Sequence, residues 1–162
     1  MKKLSYLLMI IGMLCASCSK EELTETGTVE IHFSVLEENH SEFAMALWEA
    51  VNAYRREKGL NELYLDDNAA TSLAIQHSMH MRTDGRISHY GFVDRTRALK
   101  NAGAESVGEN VAFGYQRASD VVVAWSNSPA HKIVLEGNYT HCGIGVVADD
   151  GGRQYMTQLF YR

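Results

Sequence analysis

The sequence predicts an α+β sandwich. Three observations carry this. Apolar residues recur at helical spacing through residues 41–83 and alternate through residues 142–161, and 162 residues suit one ordinary domain. Helices first and strands later, around one core, give helices packed on a sheet. No internal repeat or low-complexity segment disturbs that order.

The chain opens MKKLSYLLMIIGMLCASCSK. Two lysines precede an apolar run that is too short to cross a bilayer comfortably, so residues 1–17 read as a signal peptide. Ala16 and Ser17 lead to Cys18 as in a bacterial lipoprotein cleavage site, although Cys15 stands where such signals usually carry leucine. Cys18 is therefore the expected lipidation site and first mature residue. Lys20, Glu21 and Glu22 then resemble a surface-export signal. The expected location is the cell envelope, as an outer-membrane lipoprotein exposed at the surface, with the membrane as a partner through the lipid.

Residues 18–40 hold the lipidated end, a polar tether and a short alternating strand, VEIHFSVL, and residues 41–162 hold the domain. Removing residues 1–17 takes away two lysines and leaves 13 Lys+Arg against 20 Asp+Glu, a formal charge of −7. Such a surface does not recruit nucleic acid. If Cys18 is acylated no disulfide framework remains, so a hydrophobic core must stabilise the fold.

A first helix is expected over 41–58, where Phe43, Leu47, Val51 and Tyr54 share a face and Gly59 ends the run. A second runs over about 68–83, through Ala69, Leu73, His77 and Met81. DGRISHYGF breaks the pattern and reads as a loop. A short helix covers 95–101. The glycines of SVGENVAFG suggest tight turns around Glu109 and Asn110. Another helix opens at Ala118 or Ser119 and carries DVVVAW. HCGIGVVA and RQYMTQLFY are strands joined by a DDGG hairpin turn. The helix over 41–58 should pack on the sheet made by these two strands.

The stretch SNSPAHKI places Ser128 as a helix cap and Pro129 at the first helical position, where its missing N–H costs nothing. His131 then lies in the first turn, where the helix dipole favours a neutral imidazole able to accept a proton or bind metal. His89 sits in a glycine-flanked loop. Glu109 sits among apolar neighbours and needs a partner. Two histidines and a carboxylate make a zinc-type set with an open fourth position. His89 and His131, with Glu109 as a third ligand, are thus candidates for Zn²⁺ or another divalent cation. No cofactor is required by the sequence. These three residues are expected in one solvent-reachable cleft, about 3 to 5 Å apart or bridged by one water or ion. Tyr90, Asn110 and Ser128 are expected to line it as ligand-binding groups.

Several motifs taken together extend this reading. SHYGF, GEN, W..SPAH and GIGV follow one another, with VNAYRREKG before them and YMTQLFY after. In that order the chain resembles the bacterial form of the CAP or SCP domain, the superfamily of cysteine-rich secretory proteins, antigen 5 and pathogenesis-related type 1 proteins, over residues 44–161. The resemblance implies a three-layer α-β-α sandwich around a small antiparallel sheet. It also implies a central cleft with two histidines and two acidic residues, which fall on His89, Glu109 and His131. The second acid of eukaryotic members would stand three residues after Trp125, where this chain has Ser128. That departure weakens metal binding or catalysis that needs four ligands. The disulfides of secreted eukaryotic members are also missing, so packing of GIGV must replace them.

Other chemistries fare worse. His77 faces the core as a packing histidine, and no HExxH motif joins it to His80. His141 belongs at a sheet end. Cys142 is a small hydrophobe, since an adjacent histidine on a strand points to the opposite face. Ser128 and His131 are one turn apart, but no GxSxG elbow accompanies them. Trp125 reads as a core anchor. Three readings remain: non-catalytic binding of a small ligand, lipid, cell-wall component or protein; metal-assisted hydrolysis through His89, Glu109 and His131, which are the only catalytic candidates; or a structural module with an inert cleft.

Overall fold

The computed structural model describes residues 39–162. The signal peptide, Cys18 and the alternating segment over 29–35 lie outside the described residues. Helix α1 (Ser41–Glu57) buries Ala44, Leu47 and Val51. Strand β1 (Tyr64–Leu65) is a two-residue piece, followed by α2 (Ala69–Asp84) and α3 (Phe92–Asn101). Strand β2 (Val107–Phe113), α4 (Ala118–Asn127) and α5 (Pro129–Leu135) come next. The hairpin of β3 (His141–Ala148) and β4 (Gln154–Tyr161) closes the chain.

The four strands form one sheet in the order β1-β3-β4-β2. β2, β4 and β3 are antiparallel neighbours, as the resemblance implies, but β1 runs parallel to β3, so the sheet is mixed. Strand alternation splits the sheet into two buried faces. Cys142, Ile144, Val146, Met156 and Phe160 face one way and form a single core with Leu47 and Val51 of α1, Val121 and Trp125 of α4, and Leu135. Leu159 faces the other way, onto Ala70 and Ala74 of α2 and Leu99 of α3. The result is three layers: α1, α4 and α5, then the sheet, then α2 and α3.

Glycine explains how closely α2 approaches. A Cβ at Gly143 would overlap the backbone of Ala70 and Thr71, and one at Gly145 the backbone of Ala74 and Ile75. The two glycines of GIG therefore leave a flat track on which α2 lies. Ser78 Oγ holds the contact, 2.9 Å from both Gly145 O and Thr157 Oγ1. The open edge of β3 is also covered. Thr71 Oγ1 accepts from Ile144 N–H (3.2 Å), Asn39 Oδ1 from Val146 N–H (2.8 Å), and Val146 O from His40 N–H (2.8 Å). Capping an edge with side chains removes a template for strand addition.

Two expectations need correction. The helix expected over 95–101 begins at Phe92, because Gly91 takes a left-handed φ of 72° and turns the chain into it. The turns expected around Glu109 and Asn110 are a seven-residue strand. Gly108 is there for room: a Cβ would lie 2.5 Å from the Tyr139 hydroxyl and 2.9 Å from Val134 Cγ1.

Candidate functional site

The GEN motif works by alternation along β2. Gly108 faces the α5 side and admits Tyr139. Glu109 points to the opposite face, toward α3. Asn110 returns to the α5 side, where its Nδ2 donates to His131 O at 3.1 Å. One strand thus holds the acid on one face and fixes the histidine helix on the other. Asn110 is wholly buried, so its role is to position α5, not to line a cleft. Arg55, itself buried, secures the far end of α5: its Nη1 donates to Leu135 O at 2.7 Å and Gly137 O at 3.1 Å.

Glu109 has a partner the sequence reading did not assign. Arg95 donates to it twice, from Nε to Oε2 at 2.7 Å and from Nη2 to Oε1 at 2.9 Å. Its Nη1 donates to Tyr90 O at 2.9 Å, which ties the loop before α3 to the same guanidinium. His89 Nδ1 lies 2.8 Å from Glu109 Oε1. A carboxylate paired this way only accepts, so Nδ1 carries the proton, and in the neutral ring Nε2 is left as an acceptor. The Glu109 side chain is 1% exposed and that of His89 51%. The acid is interior, and the histidine is its outlet to solvent.

The expectation that Glu109 would lean on the two histidines is thus half met. His89 contacts it, but the strong partner is Arg95, because a buried carboxylate is best neutralised by a two-pronged guanidinium. The signal was present in GRISHYGFVDR, where an arginine follows the histidine loop on the next helix. As a third metal ligand Glu109 is poorly placed, since its side chain is 1% exposed and is neutralised by a guanidinium in the interior. Among the described residues no three His, Cys, Asp or Glu side chains are grouped to hold a metal ion.

His131 is half-buried in the first turn of α5. Burial, and secondarily the charge of nearby His89, pushes its pKa below the ordinary histidine value. It lines a cavity of about 350 Å³ with Ser128, Trp125, Val111 and Ile87. Ser128 occupies the position before Pro129 with an extended backbone, but its side chain makes no capping hydrogen bond. Its carbonyl accepts from Lys132 N–H at 2.8 Å instead. Trp125 is a core residue, as expected, and its Nε1–H donates to Val111 O at 3.0 Å on the outer edge of β2. Tyr90 does not join this cavity. It is exposed and packs on His80, with ring centroids 5.0 Å apart.

The remaining residues fall where their chemistry suggests. His77 is buried, and its Nε2 lies 2.7 Å from Ser88 O. His141 starts β3 at the sheet end, stacked on Tyr161 with centroids 5.1 Å apart. Burial pushes the Cys142 thiol up to about 12, so it is no nucleophile near neutrality.

Sequence and fold both have counterparts among known proteins. The model of the family described as CAP, Cysteine-rich secretory protein family, matches residues 48–160. Bacillus subtilis (strain 168) has two similar proteins. The one described as Uncharacterized membrane protein YlbC is 33% identical over 116 residues, covering 68% of this chain and 32% of its own length. The one described as Uncharacterized protein YkwD is 34% identical over 104 residues, covering 61% of this chain and 40% of its own. The chain therefore spans about a third to two-fifths of the length of these relatives.

Among solved structures, an outer surface protein from Borrelia burgdorferi has a TM-score of 0.67 at 24% identity, covering 75% of this chain and 92% of that one. An extracellular protein containing a SCP domain from Bacillus anthracis (strain Ames) has a TM-score of 0.61 at 25% identity, covering 86% of this chain and 44% of that one. These likenesses carry the same three-layer fold. The family match runs from within α1 to the penultimate residue of β4, and the chain belongs to the CAP family of cysteine-rich secretory proteins.

Proposed function

We propose that this CAP domain is a non-catalytic binding protein of the cell envelope, whose cleft beside α5 takes a small ligand, a lipid or an envelope component. The observation that carries this reading is the engagement of Glu109. A general base or a metal ligand needs a lone pair facing its target. The Glu109 oxygens instead accept from Arg95 and His89 in the protein interior. What the cavity offers is a neutral-leaning imidazole at His131 and the Ser128 hydroxyl, over an apolar lining of Ile87, Val111 and Trp125. A few polar groups on a mostly apolar wall is the composition of a binding pocket. His89, half-exposed beside Glu109, is the second imidazole at this site.

The envelope part of the reading is supported by the signal-like start, by the cysteine at position 18, and by relatives described as a membrane protein and an outer surface protein. Among the described residues no helix is long and apolar enough to cross a membrane. The anchor in this reading is the lipid on Cys18. A Cys18→Ser protein should then leave the membrane fraction, and retention equal to the parent would remove the anchor from the proposal.

The binding reading is tested with laurate as a lipid probe and p-nitrophenyl esters as hydrolysis probes. Laurate should shift the NMR signals of the Trp125 indole N–H and the Ile87 methyls, with weaker binding in His131→Ala. Ester hydrolysis should stay at background with or without Zn²⁺. Zinc-dependent turnover abolished by Glu109→Gln would overturn the proposal in favour of metal-assisted hydrolysis.

A further inference from the structure

Two amide side chains in the middle of the sheet carry polar atoms that the site described above does not use. Asn110 of β2 and Gln158 of β4 are each 0% exposed. They stand directly opposite one another in the antiparallel pairing of these strands. Opposed residues in such a pair point to the same face, with Cα atoms roughly 4.5 to 5.5 Å apart. For Asn110 that face is the α5 side, and Gln158 shares it by alternation with Met156 and Phe160. The two amides are therefore neighbours inside the core, next to the start of α5.

Their hydrogen bonds do not close. Asn110 Nδ2 donates to His131 O at 3.1 Å, and a carbonyl can only accept, so this bond fixes which way the amide is turned. Oδ1 is then an acceptor on the other side of the amide. Among the described residues Asn110 Oδ1, Gln158 Oε1 and Gln158 Nε2 are all buried and have no hydrogen-bond partner. The third strand offers none, because there Gln158 faces Ile144. A buried polar atom left unpaired is costly, and three in one neighbouring pair call for a partner.

Size and chemistry choose that partner. Both residues are closed off from solvent, so only a very small molecule fits between them. It must donate to Asn110 Oδ1 and accept from Gln158 Nε2–H. Water does both, whereas a simple cation or anion serves only one of the two. Gly108, the next residue on this face of β2, leaves space that the Tyr139 hydroxyl enters, so a further group able to accept a hydrogen lies on the same face.

We propose that the core holds a bound water between Asn110 and Gln158, and that Gln158 is a positioning residue that acts through this water and Asn110 on the first turn of α5, where His131 sits. The water donates to Asn110 Oδ1 and accepts from Gln158 Nε2–H. With Oδ1 engaged the Asn110 amide cannot turn, and its Nδ2 stays on His131 O. The histidine that lines the cavity is thus held from β4, two elements away. This positioning applies whichever ligand the His131 cavity takes.

Rotating-frame water cross-peaks on the isotope-labelled protein test this. The side-chain NH₂ protons of both Asn110 and Gln158 should show cross-peaks to water of dipolar, not exchange, sign. Gln158→Met, close to glutamine in size, should abolish the Asn110 cross-peak and move the amide signals of Ala130, His131 and Lys132. Gln158→Asn keeps an amide, and should keep the Asn110 cross-peak with α5 signals near those of the parent. The parent spectrum needs no variant, so it decides the water even if Gln158→Met fails to fold. Absence of water cross-peaks from both side chains would overturn the proposal. So would a coupling through a direct hydrogen bond from Gln158 Nε2 to the Asn110 carbonyl, or an Asn110 cross-peak unchanged in Gln158→Met. Equal α5 shifts in Gln158→Met and Gln158→Asn would mean that packing, not the amide, is what Gln158 supplies, and would overturn its positioning role.

Discussion

Glu109 depends on Arg95 more than on either histidine, and single residues show how far a sequence can be read. An acid set among valines announces that it needs a partner, and the partner His89 can be named from its loop. Arg95 is harder to name: it follows the histidine loop in GRISHYGFVDR, but it reaches Glu109 from α3, and no sequence spacing marks the pairing. The pair should be costly to break. Arg95→Met leaves a buried carboxylate with only His89, and should destabilise the domain by about 3 to 5 kcal/mol in urea unfolding. Arg95→Met combined with Glu109→Leu should recover most of that loss, since the uncompensated charge has gone. A double variant no better than Arg95→Met would show that packing, not charge, is what Arg95 supplies. Cys142 is legible in full: its position in an apolar strand predicts an inert thiol. Iodoacetamide at pH 8 should therefore label it only after unfolding, and rapid labelling of the native domain would contradict its burial.

At the scale of elements, period and punctuation mark most of the boundaries. α1, α2, α4 and the terminal hairpin are readable because each buries a stripe or a face of its own. β2 is not, because glycine has two uses and sequence does not say which one applies. In GEN the glycine makes room for the Tyr139 ring within a strand, and the same residue could have made a turn. GIG is the opposite case, where alternation is clear enough to keep the glycines inside the strand. What sequence does not supply is the reason, which is the backbone of α2 lying against them. Gly145→Ala should therefore lower stability by about 1 to 3 kcal/mol, because α2 must lift from the sheet. Gly151→Ala, in the hairpin turn where its nearest non-neighbour atom is the Asp149 Oδ1 at 3.3 Å, should cost much less. Thermal unfolding of the two variants side by side makes the comparison, and equal losses would mean that the approach of α2 is not the constraint.

The whole molecule couples its core to pH through two histidines. His77, on α2, is buried against the loop before α3, and its pKa is lowered chiefly by that burial; Arg95 and His80 push the same way, while the bond to Ser88 O and the charge of Glu109 oppose. His131, in the layer on the opposite face of the sheet, is lowered by burial and then by His89. In the unfolded chain both return to about 6.5. As pH falls through that value the unfolded chain takes up protons before the folded domain does. The folded state then binds fewer protons, so stability is complete above about pH 6.5 and declines toward the lowered folded values. Ordinary carboxylates titrate near pH ~4, so the first part of the drop belongs to the histidines. Urea midpoints measured between pH 8 and pH 5 should thus stay level at first and drop once the histidine range is entered. His77→Gln removes the more deeply buried imidazole while its amide can still donate to Ser88 O, and it should flatten that drop. A wild-type midpoint unchanged down to pH 5, or a slope unaltered by His77→Gln, would mean that the His77 imidazole on α2 is already free to take its proton in the folded protein.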